Sequence, residues 1–123
     1  MLRVHAKNFG SIVVLCVQGR IVVGETKALR DAVLSQSSIG TLVLDLARVD
    51  NIDAAGFGAL LALRAETRSR GIKIKLVNVT RNVSQLLEIT RLNSVFEVTS
   101  MSEVMMGGSF LNSSLFGKLA ACA

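Results

Sequence analysis

The run Thr41-Leu42-Val43-Leu44-Asp45-Leu46, a short connection, and then Asp53-Ala54-Ala55-Gly56-Phe57-Gly58-Ala59-Leu60-Leu61-Ala62-Leu63 decide how this chain folds. The first run is continuous and apolar, which predicts a strand covered on both faces. Ala47–Ile52 is expected as a loop. Asp53 then stands where a helix begins, because its carboxylate can accept the orphan amides of a first turn. The helix is expected to run to about Arg70 and to stop at Gly71. Its first half is nearly all apolar and should be buried. Its second half (Arg64, Glu66, Arg68, Ser69, Arg70) should emerge into water.

On the N-terminal side, Leu2, Val4 and Ala6 alternate with Arg3, His5 and Lys7, the period of a half-buried strand. Asn8–Ser11 reads as a turn, and Ile12–Val17 as a central strand, so the two form a hairpin. Beyond Gly19 and Gly24, Leu29, Ala32, Val33 and Gln36 share one helical face, and Ser37, Ser38 and Gly40 end that helix. A strand, a helix and a strand in this order predict a parallel crossover. On the C-terminal side, Ile72, Ile74 and Leu76 alternate with Lys73 and Lys75, a strand near a sheet edge. Asn82–Arg91 is expected as a helix, Val95–Val98 as a last strand, and Ser102 to about Phe110 as a final helix. The architecture is α/β: one domain over residues 2–110, a mixed sheet of about five strands and about four helices. Residues 111–123 are expected as a weakly structured tail. Its Leu115, Phe116 and Leu119 form a short apolar stripe that would suit a partner or a second copy in a homo-dimer.

Composition narrows the function. The chain has 123 residues, half of them hydrophobic, with no Trp, Tyr or Pro. That suits one aliphatic core and excludes a disordered class. The formal charge is +5. The basic residues are dispersed and lack interleaved aromatics for base stacking, which points away from nucleic acid. No apolar run approaches the roughly 20 residues that would cross a bilayer, so no direct membrane insertion is expected. Cys16 lies in an apolar strand and reads as a buried free thiol, Cys122 in the tail. Two such cysteines make no disulfide framework and fit a reducing cytoplasm.

The catalytic inventory is poor. The single histidine, His5, falls on the outer face of the first strand. There is no zinc spacing and no phosphate loop, so neither a metal nor a cofactor is expected, and no enzyme activity. The unusual feature is the pair of glycines, Gly56 and Gly58, at a helix start. Each costs roughly 1 kcal/mol against alanine. Close packing against the sheet is one reading. Approach of a partner to an exposed helix N-terminus, whose positive end suits an anionic group, is the other. Thr26, Thr80 and Ser84 read as helix-start hydroxyls.

Asp53-Ala54-Ala55-Gly56-Phe57-Gly58, placed after the strand Leu42–Leu46, resembles the Asp-Ser-Ser-Gly-Leu-Gly signature of the STAS domain. Gly19–Gly24, Leu29-Arg30, Arg70-Gly71, Leu76–Val79, Leu86-Leu87 and Leu92–Phe96 extend the likeness over about residues 2–110. The resemblance implies a non-enzymatic regulator of transcription of the anti-sigma factor antagonist kind. Its partner would be an anti-sigma factor of the serine-kinase/ATPase type. In that family the second Ser of the signature takes a phosphate that breaks the complex. Here that position is Ala55, preceded by Ala54, so the usual switch has no hydroxyl to act on. Val22 stands in the region where the family carries an acidic residue. The implied partner-binding surface is Gly24, Glu25, Thr26, Asp53, Ala54, Ala55, Gly56 and Phe57. A scaffolding STAS subunit, in a signalling assembly or a transporter complex, is the alternative.

Overall fold

The computed structural model describes residues 2–35 and 40–107. In chain order the elements are β1 Arg3–Phe9, β2 Ile12–Ile21, α1 Thr26–Leu34, β3 Thr41–Ile52, α2 Ala54–Ser69, β4 Lys73–Val77, α3 Arg81–Ile89, β5 Glu97–Thr99 and α4 Met101–Gly107. A single 3₁₀ turn, Leu92–Ser94, precedes β5. The strands form one sheet in the order β1-β2-β3-β4-β5. The β1–β2 hairpin is antiparallel, with Ala6 opposite Leu15. The remaining pairs are parallel, each joined by a helix crossover. The expected α/β class, hairpin, crossovers and helix number all hold.

Strand alternation sends side chains to two cores. Val13, Leu15 and Val17 face a large cluster with Leu42, Leu44 and Leu46 of β3. Leu29 and Val33 of α1, Phe57, Leu60 and Leu63 of α2, and Val83 and Leu87 of α3 cover it. On the other face Ile12, Val14, Val43 and Val77 meet Met101 and Val104 of α4. β2 and β3 are thus covered on both sides over their first halves, which is why they read as unbroken apolar runs.

Three expectations are corrected. Ala47–Ile52 is not a loop, because β3 continues to Ile52 beside β2. Register shifts between Cys16 and Gln18 and between Gly19 and Arg20 rephase the pair. Val49 and Ile52 therefore still turn inward and are buried. The last strand begins at Glu97 rather than Val95, since Val95 and Phe96 close the 3₁₀ turn onto Leu92. Cys16 is half-buried and disulfide-bonded, not a free thiol. The helix end at Gln36–Ser38 and the tail 111–123 lie outside the described residues, as does Cys122. No described helix is long and apolar enough to cross a membrane.

Leu44 is fully buried at the centre of the sheet. Leu44→Ala should lower unfolding free energy by about 2–5 kcal/mol, the usual cost of an unfilled core site. Urea unfolding measures it, and a loss well under 1 kcal/mol would contradict this packing.

Candidate functional site

The end of β2, the turn after it and the start of α2 are locked together by one side chain. Asp53 is the N-cap of α2, in extended conformation. Its Oδ1 accepts from the Gly56 amide at 2.8 Å. Its Oδ2 accepts from the Val23 amide at 3.1 Å, thirty residues away in sequence. Its own amide donates to the Ile21 carbonyl at 3.3 Å. These donors favour the charged carboxylate. The Gly56 amide first, and then the Val23 amide, hold its pKa below the ordinary aspartate value. One amide of the first turn of α2 and one of the turn after β2 are thereby satisfied from within the chain.

The turn beside it is built for close approach. Gly24 takes φ +83, a conformation glycine adopts without strain. The Glu25 amide closes the turn onto the Val22 carbonyl at 3.0 Å. Glu25 is half-buried, and its carboxylate accepts from the Leu2 amide at 3.1 Å. Thr26 is the first residue of α1, and the N-cap there is Glu25 without a side-chain bond. Thr80 does cap α3, accepting from the Val83 amide at 3.2 Å.

What reaches solvent here is apolar and small. Val23 is 73% exposed, and Ala54, Ala55 and Gly58 are exposed on the outer side of α2. Leu61 lies on the same side, since three- and four-residue steps share a helix face. Of the expected surface, the structure exposes Gly24, Ala54 and Ala55 and half-buries Glu25, Thr26 and Asp53. Gly56 and Phe57 are buried and support the patch rather than form it. Val23, Gly58 and Leu61 join it without having been expected. An exposed valine in a glycine turn and a helix stripe continuing from Ala54 were the available signals.

The two glycines divide between the two readings. A Cβ on Gly56 would lie 1.8 Å from the Ile21 carbonyl oxygen and 2.9 Å from Ile52 Cγ2. Gly56 is there for packing. A Cβ on Gly58 would meet nothing within 4 Å, so nothing inside the chain requires glycine at that position.

Gly58→Ala should therefore raise stability by about 0.5–1 kcal/mol, the helix-propensity difference, while Gly56→Ala should unfold or severely destabilise the chain. Thermal melts of both variants decide this, and equal effects would contradict the division. The cap carries a pH signature. The folded-state pKa of Asp53 is depressed, so its stabilisation is complete above the unfolded value of about 4. It is lost as pH falls through the folded value. The stability difference between wild type and Asp53→Asn should be flat from pH 5 to 8 and shrink below pH 4. A difference that grows in acid would contradict the cap.

No group of three His, Cys, Asp or Glu able to hold a metal occurs among the described residues. The STAS domain family model matches residues 3–104. The fold is shared with a candidate anti-sigma factor antagonist from Thermotoga maritima, at TM-score 0.76 and 19% identity over 85% of this chain and 92% of that one. An anti-sigma factor antagonist from Mycobacterium paratuberculosis matches at TM-score 0.69 and 21% identity, over 80% and 85%. A sulfate transporter family protein from Wolinella succinogenes matches at TM-score 0.65 and 20% identity, over 72% and 75%. With the family match spanning most of its length and these folds superposing on it, this chain belongs to the STAS domain family.

Proposed function

We propose that this chain is a non-enzymatic docking module that binds an anti-sigma factor of the serine-kinase/ATPase type, in the cytoplasm. It would act without the phosphate switch at the start of α2. The supporting observation is the exposed apolar patch at Gly24, Ala54 and Ala55, widened by Val23, Gly58 and Leu61. It lies on the signature Asp53–Gly58, where Asp53 holds turn and helix in one arrangement. A partner can bury such a patch without desolvating charge, and side chains that are short or rigid lose little rotamer freedom on contact. Ala55 is the second residue of α2 and faces solvent. A phosphate there would place nearly two negative charges in the contact. Alanine cannot accept one, so the module stays permanently in its binding form.

A second reading is a scaffolding subunit. The likeness to a sulfate transporter family protein favours it, and such a subunit has no use for a hydroxyl at position 55.

The test uses wild type and Ala55→Glu as paired baits in lysate of the source cell, read by mass spectrometry. A glutamate in the first turn of a helix is neutral or favourable to folding, so lost binding reports the surface. The expected result is a kinase-like ATPase captured by wild type and lost with Ala55→Glu. With that ATPase and ATP, Ala55→Ser should take up one phosphate at residue 55 while wild type takes up none there. Recovery of the same partners by both baits, with no such ATPase, would overturn the antagonist reading and leave the scaffold.

A further inference from the structure

The face of the sheet opposite α2 holds a row of side chains that the docking surface does not use. α4 covers only the first part of this face, over Ile12, Val14, Val43 and Val77. Further along the strands, Arg3 of β1 stands opposite Gln18 of β2, and Gln18 is in register with Arg48 of β3. Adjacent strands lie about 4.8 Å apart, so the two arginines stand about 10 Å apart with the glutamine amide between them. Two guanidiniums on long stems can close that gap onto one group.

Arg48 reaches this face through a bulge. By simple alternation from Asp45 it would point to the other side. Two residues of β3, Leu46 and Ala47, stand against the single Val17 of β2. The extra residue turns Arg48 toward Gln18 and sends Val49 into the core. The Ala47 amide donates to Asp45 Oδ1 at 3.0 Å and pins the bulge. Asn78 Nδ2 donates to Asp45 Oδ2 at 3.2 Å, so this carboxylate is already occupied.

Arg3, Gln18 and Arg48 line a cavity of about 500 Å³ that extends past His5, a size that suits a small molecule. They also line its adjoining mouth, with Gly19 and Asp50. Among the described residues neither arginine is in an ion pair, and Asp50 is in none with them. Lys7 and Cys16, nearer to α4, already have partners and are left out of the site. Guanidinium forks match the oxygens of a tetrahedral anion two at a time, and two of them balance a dianion.

We propose that the Arg3–Gln18–Arg48 row binds the phosphate of a small phosphate monoester, with the rest of the molecule lying along the cavity toward His5. A soluble compound and a lipid headgroup can both supply this chemistry. The site is independent of the docking surface at α2.

The isotope-labelled full chain is titrated at about pH 7.5, where a phosphate monoester is close to a dianion. The probes are inorganic phosphate and phenyl phosphate, followed by amide chemical shifts. Saturable shifts should appear at Arg3, Gln18 and Arg48. Phenyl phosphate should bind about threefold or more tightly than inorganic phosphate, since its ring leaves water for the cavity. Arg3→Gln and Arg48→Gln should each weaken phenyl phosphate about tenfold, as the loss of one charge-assisted contact does. Asp50→Asn should tighten it about threefold by removing a like charge, a gain that no folding defect produces. Lys27→Gln, which removes an exposed positive charge from α1, should leave it unchanged. Vesicles of phosphatidylcholine with phosphatidic acid separate the two sources. Sedimentation with them that Arg48→Gln abolishes assigns a lipid headgroup, and a chain that stays in solution while binding phenyl phosphate assigns a soluble ligand. Absence of saturable shifts up to about 10 mM of either probe, shifts away from the row, or equal weakening by Lys27→Gln and Arg48→Gln would each overturn the proposal.

Discussion

One carboxylate holds the working end of this domain. Asp53 accepts from Gly56 within its own helix and from Val23 in the turn after β2. A helix start and a strand end are thereby set in one geometry. Both amides would otherwise need water or a partner. With them satisfied, the surface above can be apolar without leaving these two amides orphaned beneath it.

The same constraint explains the small residues around it. α2 starts so close to β2 that a methyl group on Gly56 would overlap the Ile21 carbonyl oxygen. Close approach brings the Asp53 amide to that carbonyl and the carboxylate to the Val23 amide. A bulkier residue at position 56 would lift the helix and break the lock. Gly58, two residues on and facing outward, is under no such restriction. Its glycine is a property of the surface, next to alanines that keep the patch low and free of charge.

Much of the fold was legible because its signals are local. Leu2 and Val4 against Arg3 and His5, the unbroken run Ile12–Val17, Leu29 with Val33, and Asp53 before Ala54 all state their element within a few residues. The extension of β3 was not legible. Val49 and Ile52 turn inward only because the β2 pairing shifts register twice, a property of the pair and not of either strand. The Asp53–Val23 bond spans thirty residues, so the sequence showed the cap and not the bridge. Gly56 and Gly58 look alike in the sequence, and only the position of Ile21 tells them apart. The disulfide state of Cys16 was hidden for the same reason, since nothing near Val14–Gln18 in sequence announces a second cysteine.

The central claim is that docking occurs at the α2 start and its adjoining turn. Hydrogen–deuterium exchange of the chain with and without its captured ATPase partner tests it most directly. The account predicts slowed exchange confined to residues 22–26 and 54–62, with β1 and β5 unchanged. Protection on β1 or the second face of the sheet, with residues 54–62 exchanging as in the free chain, would contradict it.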